Sequence, residues 1–462
     1  MNGVVNEQLI YDQSKLPLGG RREELEFFNS MGNINGGRRC MIRIPNLSNS
    51  YLHCDNAYLR FTVAATVAGV ALPFIDTTST PPNAPTNTAN LKLSSCSAAS
   101  FIKSITILNE NICCYKCEDS NKIASIIQLS DVGLNGYNAK SILDGSAISE
   151  IGNFDGLKVC ESFGLPTAAS TATLSVLPEM TFCVNSNIFG LLGSGVLPIN
   201  QIRNGLLLQV EFVADVRIPF KNDGASSSSL LEAGSSMVFK DISYCVPSII
   251  LDDSSQAAVA AENGFGERPT VWSDIIRRCS VITVPKATYS TSQVRSVLIP
   301  NNRYKSLNNI LMGSFVSPNG HSDGNAAVFP YSTIQYRYQG VERPNEVINT
   351  LPQLILNTVS CHSNVSPSIV SCVFDKEHSA LNYRPPLTTS IQTITPRLVA
   401  GVDFTAFNDD SVISGIDTSN GDTQVELTIV GAASNFDMRD CFVSTFSCVW
   451  IINEGRISCS FN

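Results

Sequence analysis

Cys114 and Cys117 stand at Cys-x-x-Cys spacing with Cys113 beside them, the pattern of half a zinc site or of a dithiol redox pair. A structural zinc site needs about four ligands, and no second pair follows at finger spacing. His53, His321, His362 and His378 are scattered, and in an extended strand the neighbours His53 and Cys54, or Cys361 and His362, point to opposite faces. The chain therefore reads as carrying surface or core histidines rather than ligands. Paired carboxylates occur as Asp252-Asp253 and Asp409-Asp410, but adjacent residues diverge, and both pairs sit beside turn or cap signals. Capping or solvation suits them better than the convergent carboxylates of a glycosidase. The glycine-rich pieces 190–195 and Gly19-Gly20-Arg21 lack the Lys-Ser/Thr ending of a phosphate loop. Trp272 and Trp450 form no helical stripe and read as core or interface anchors. The expectation is a protein with no catalytic, cofactor-binding or metal residues, no cofactor and no enzyme activity.

Composition narrows the classes further. The chain has 462 residues, 43% hydrophobic and 15% charged, enough to bury large cores in two or three domains. Its 31 basic and 40 acidic residues give a net charge of -9, which opposes specific binding to a phosphate backbone. The first twenty residues lack the apolar core of a secretory signal. The longest apolar stretch, Phe61 to Ile75, contains Pro73 and falls short of the roughly 20 residues that span a bilayer. The chain is expected on the cytosolic side of membranes, where the sequons at Asn46 and Asn364 carry no weight. Its fifteen cysteines are an odd number embedded in apolar runs, as reduced, packed thiols would be.

The elements that must position these residues are strands. Leu59, Phe61 and Val63 alternate with Tyr58, Arg60 and Thr62, and Leu208, Val210 and Phe212 alternate with Gln209 and Glu211. In the second half Val425, Leu427 and Ile429 repeat the pattern; Phe442, Phe446, Cys448 and Trp450 share a face, and Ile457, Cys459 and Phe461 alternate after the turn at Asn453-Glu454-Gly455. One succession occurs twice. Ser104 to Ile107, the turn at 109–111, Ile112 and a helix from Asp119 to Ser130 are matched by Ser332 to Gln335, the turn at Gln339-Gly340, Val341 and a helix from Pro344 to Ser360. Asp119 or Ser120 is expected to cap the first helix, whose Ile123, Ile126 and Ile127 share a face. Arg21 to Ser30 reads as a short amphipathic helix. Thr77 to Asn90, Ser162 to Thr173 and Asn222 to Ser236 read as loops, with strand resuming over Met237 to Leu251. Asp253 or Ser254 is expected to cap an Ala-rich connector helix. Many short antiparallel strands with long polar excursions point to sandwiches or jelly rolls.

At this point the residues acquire a likeness. The segment Ser186 to Gly193, Val196-Leu197-Pro198 and Asn204 to Phe212 resembles the end of the first jelly roll in double jelly-roll major capsid proteins of double-stranded DNA viruses. Phe329-Pro330 to Pro344-Asn345, Gly401 to Phe404, Ile413 to Thr418 and Trp450 to Phe461 resemble the closing elements of the second roll in those of polinton-like viruses and virophages. The resemblance spans most of Ala57 to Phe461.

The expectation is then an all-β chain of two tandem jelly rolls with a few short helices. An N-terminal arm covers 1–30, the first roll 31–252, a helical connector 253–265 and the second roll 266–462. What the resemblance implies is a major capsid protein whose homotrimers form pseudo-hexagonal capsomers, tiling an icosahedral shell beside penton and minor capsid proteins. The three long loops would take tower or intersubunit positions, and the arm could reach an inner membrane. The protein would be made in the host cytosol and reside in the virion. The competing reading is a lectin-like or host-attachment β-sandwich protein of a virion.

Overall fold

The computed structural model describes residues 19–70, 91–94, 97–131, 143, 145–148, 154–156, 159–163, 174–185, 187–193, 195–222, 231–263, 268–285, 293–301, 304–316, 331–361, 399–405, 415–429 and 438–460. Eight principal strands build the first half: β1 (Gly20–Phe28), β2 (Arg39–Ile44), β3 (Tyr58–Ala68), β4 (Ile102–Asn109), β5 (Ile112–Cys117), β6 (Met180–Asn185), β7 (Leu206–Phe212) and β8 (Leu231–Leu251). They pair antiparallel in two sheets, β1-β8-β3-β6 and β2-β7-β4-β5. Helix α1 (Ser120–Asp131) follows β5, and α2 (Asp253–Asn263) follows β8.

The second half repeats this order. Strands β9 (Thr270–Val284), β10 (Gln293–Ile299), β11 (Leu307–Val316), β12 (Tyr331–Tyr338), β13 (Val341–Ile348), β14 (Val399–Asp403), β15 (Thr423–Ile429) and β16 (Met438–Asn453) form sheets β9-β16-β11-β14 and β10-β15-β12-β13. Helix α3 (Leu351–Ser360) follows β13, and β17 (Arg456–Ser460) folds back on β16. Each strand n of the first half has its counterpart at n plus eight, and the first strand of each set pairs with the last: this is the jelly-roll order, written twice. The chain is an all-β double jelly roll with a few short helices.

Alternation explains where the cores lie. Leu59, Phe61 and Val63 on β3 are fully buried, and Phe61 meets Phe182, Phe239 and Phe212 at ring-centroid distances of 5.9, 6.0 and 5.4 Å. Phe212 stacks on Phe239 across the two sheets at 4.0 Å. Burying each such ring contributes about 1.5–3 kcal/mol. In the second roll Phe442, Phe446, Cys448 and Trp450 fill the same place from β16. Both β4–β5 and β12–β13 turn through two left-handed residues, Glu110 and Asn111 (φ 49 and 69°) and Gln339 and Gly340 (φ 49 and 79°), the geometry that suits the twist of a tight hairpin. Glu454 and Gly455 repeat it between β16 and β17.

Four details depart from the expectations. Residues 20–28 form strand β1, with Gly20 opposite Leu251 and Phe28 opposite Ser243, rather than a helix in a free arm. The side chains at Glu24, Glu26 and Phe28 follow a period of two, and the open edge of β8 supplies the backbone partners that decide the outcome over local propensity. Strand β8 begins at Leu231, not Met237; its small residues are absorbed by a register irregularity between Leu231 and Ser236, with Gly234 at φ 86°. Pro344 lies in edge strand β13, where a missing donor is tolerated, and α3 starts only at Leu351 behind the Thr350 cap, whose Oγ1 accepts from the Gln353 amide. The connector helix is capped by Asp252, whose Oδ1 accepts from the Ser255 amide at 2.7 Å, rather than by Asp253 or Ser254. Of the three expected loops, 77–90, 164–173 and 223–230 lie outside the described residues.

Candidate assembly surface

Among the residues singled out for chemistry, strand geometry separates most. Cys114 is the extra residue of a register irregularity in β5, and Cys117 lies three places beyond it, so the two thiols do not converge. Cys117 is buried in the first core, and burial pushes its thiol up to about 12. Cys114 donates to the Ile457 carbonyl, and burial pushes its thiol up to about 11. Cys113 is exposed. Among the described residues no three His, Cys, Asp or Glu side chains converge as metal ligands. His53 meets Asn56 through Nδ1 at 2.8 Å on the surface. His321, His362, His378, Asp409 and Asp410 lie outside the described residues. Asp253 accepts from Asn49 at 2.8 Å, and hydrogen bonds from the Ser255 amide and the Ser255 and Ser254 hydroxyls hold the Asp252 carboxyl below its usual range. Gly190 sits against the Tyr115 ring, and Trp272 faces Trp450 across β9 and β16, where Trp450 Nε1 donates to Asp274 at 2.8 Å. A recess of about 380 Å³ lined by Thr418, Ser419, Asn420, Gly421 and Asp422 has no aromatic wall on which a sugar ring could stack.

What the structure does bring together is the surface between the two rolls. The β4–β5 turn of the first roll docks on the β16–β17 hairpin of the second: Arg456 Nε donates to Glu110 at 3.1 Å, and the Ile457 amide donates to Asn109 at 3.4 Å. The Arg203 amide donates to the Gly455 carbonyl at 2.7 Å, with Asn204 also donating to Glu110 at 3.0 Å. From β9, Arg278 donates to the Lys116 carbonyl and, at 3.0 Å, to Tyr304. Helix α1 packs across the outward face of the second roll, against β9, β11, β14 and β16. The result is that Cys441, Val443, Thr445 and Ser447, which point away from the second core, are nonetheless buried.

Inside that core lies one ionisable group that apolar patterning alone does not announce. Asp440 on β16 is fully buried and accepts from Ser314 Oγ at 2.8 Å, from Tyr331 Oη and from Arg295 Nη1 at 3.3 Å. Burial drives its carboxyl above the usual range, against the Tyr331 and Ser314 hydrogen bonds and the Arg295 charge, which pull it down. The signal was present in the sequence: Asp440, Phe442, Ser444 and Phe446 share a period of two, which puts the carboxylate on the inward face.

Two jelly rolls with matching strand order, joined side by side through an extensive internal surface, define the double jelly-roll class. No protein-family model and no curated protein matches the sequence. Solved structures do. A chain of the Sputnik virophage is similar at 11% identity and TM-score 0.58, covering 96% of this chain and 89% of that one. The PBCV-1 virus capsid is similar at 11% identity and TM-score 0.57, covering 96% and 97%. The Faustovirus major capsid protein is similar at 11% identity and TM-score 0.56, covering 94% and 91%. At such identities the likeness is one of fold, and it extends over both rolls.

Proposed function

We propose that this chain is a major capsid protein whose homotrimers are pseudo-hexagonal capsomers of an icosahedral virion. The observation that carries the reading is the duplication itself: the same eight-strand order stands twice in one chain, with the first roll seated on the outward face of the second. Three such chains present six similar rolls around a ring, as a hexagonal tile requires. The capsid origin of similar folds supports it. The role is structural rather than catalytic, and the reading includes residence in the virion after synthesis in the host cytosol. Its units are the rolls 31–252, completed by β1, and 266–462, joined by 253–265. Neighbouring capsomers, penton proteins and minor capsid proteins are the partners, and an inner membrane would be met through the N-terminal arm. The lectin-like alternative has no shallow aromatic site among the described residues to favour it.

Light scattering coupled to size exclusion tests the reading, with negative-stain images of the main species. A stable species of three 49.8 kDa chains with hexagonal outlines is expected. A monomer at high concentration overturns it.

A further inference from the structure

Strand β17 returns along β16 and brings two cysteines together. Cys459 stands opposite Trp450, so Cys448, two places before Trp450, is its diagonal neighbour on the same face of the sheet, within side-chain reach. Both are free thiols, and they differ in access: Cys448 is 1% exposed, whereas Cys459 is only half-buried. A hydrogen bond to Cys459 and burial push the Cys448 thiol well up, and the Asp274 carboxylate, on the residue opposite it in β9, adds to both. Other nearby thiols are placed differently. Cys183 and Cys245 stand opposite Arg60 and Tyr58 on the two sides of β3, a full strand apart, and Cys114 belongs to the first roll, where it donates to the Ile457 carbonyl. The hairpin that joins Cys448 to Cys459 is also the one that docks the rolls: Gly455, Arg456 and Ile457 carry its contacts to Arg203, Glu110 and Asn109.

We infer that Cys448 and Cys459 are a redox-responsive pair that closes into a disulfide across β16 and β17 when the protein meets an oxidising medium, stapling the hairpin that holds the two rolls together. The oxidant is a small disulfide such as oxidised glutathione. Cys459, the accessible thiol, gives its proton to solvent and attacks one sulfur of the oxidant, forming a mixed disulfide and releasing one glutathione thiolate, which is protonated. Cys448 then attacks the Cys459 sulfur, and the second glutathione leaves as a thiolate that takes the Cys448 proton. Two protein thiols are oxidised to one disulfide, and one small disulfide is reduced to two thiols. Strand β17 is five residues long and, among the described residues, pairs with β16 alone, so its end carries the small shift that brings two hydrogen-bonded thiols to bonding distance. In a reducing cytosol the pair stays open. The timing, closure as particles leave the host cell, rests on the capsomer reading, whereas the chemistry of the pair rests on the fold alone.

The experiment uses the full chain, reduced and natively folded, incubated with oxidised glutathione at mildly alkaline pH, then quenched with acid, blocked with N-ethylmaleimide and cut with trypsin. Cleavage after Arg439 and Arg456 separates the two cysteines into peptides 440–456 and 457–462, and fragment ions distinguish Cys448 from Cys441. A link between Cys448 and Cys459 is expected. Hydrogen exchange at 450–458 should slow by about a hundredfold in the linked form, the effect of closing a loop of about 12 residues. Cys459→Ser, at a half-buried position, should leave Cys448 free under the same treatment. Recovery of Cys459 as the maleimide adduct, as a lasting glutathione adduct, or linked to Cys114 or any other cysteine overturns the pair, and equal hydrogen exchange in both forms overturns the staple. The mapping does not depend on assembly: a link found in a monomeric chain keeps the pair and removes the capsomer reading, and a trimer without the link does the reverse.

Discussion

Replacing Asp440 by alanine should be among the most damaging single changes in the second roll. The side chain is fully buried, and its loss removes at once the acceptor shared by the Ser314 hydroxyl, the Tyr331 phenol and the Arg295 guanidinium. Removing one partner of a buried ion pair costs about 3–5 kcal/mol, and a roll of this size loses roughly 2–4 °C of Tm per kcal/mol, so a fall of roughly 6–20 °C follows. Differential scanning calorimetry measures it. Asp440→Leu combined with Arg295→Met should recover much of the loss, because neither charge is then stranded. A Tm within about 2 °C of the unaltered protein for Asp440→Ala would refute the argument that the second roll depends on this buried carboxyl. The pH dependence has a defined sign. The folded carboxyl sits above its ordinary value of 3.8, so the unfolded chain releases this proton first. The contribution to stability is complete below that value and declines as pH rises through the folded value. Asp440→Asn should remove that declining limb from the profile of Tm against pH.

The remaining predictions concern packing and thiols. Gly190→Ala places a Cβ 2.6–2.9 Å from the Tyr115 ring at a φ of 51°, so urea denaturation should register a loss of about 1–3 kcal/mol. Trp450→Phe removes the hydrogen bond to Asp274 and part of a fully buried ring, and a loss of about 2–4 kcal/mol is expected in the same assay. An aromatic disulfide reagent at pH 8 should modify exposed Cys113 rapidly, while Cys40, Cys54 and Cys117, buried and pushed up to about 12, react only after denaturation; mass mapping of the modified sites checks the order.

What was legible in the sequence was what is local in the chain. Strand β4, its turn, β5 and α1 are contiguous, as are β12, its turn, β13 and α3, and that succession betrayed the duplication because hairpin turns and helix caps are read from adjacent residues. Strand β1 is hard to read because five charged residues crowd it and its inward face is marked only by half-buried Leu25 and Phe27; its partner on β8 is set by tertiary pairing. The surface between the rolls was illegible for the same reason: the Glu110–Arg456 contact joins residues 346 apart. The Cys114–Cys117 spacing carries no dithiol meaning, because a register irregularity at Cys114 turns that thiol toward the Ile457 carbonyl while Cys117 stays in the first core. Asp440 could have been caught, since a carboxylate in register with Phe442 and Phe446 must either point inward or break the strand.

The pairing of first strand with last has a consequence for how the chain is made. Gly20 waits for Leu251, and Thr270 waits for Ile452, so neither sheet can close until nearly all of its roll has left the ribosome. Contacts of such long range are slow to form, and an unclosed sheet edge invites pairing with the wrong chain. The charges of Arg21, Arg22, Glu23, Glu24 and Glu26 along the waiting strand discourage that pairing. Synthesis itself then sets an order: the first roll has every strand it needs before the second has one, and the emerging β9 to β16 can be assembled against a neighbour that is already complete.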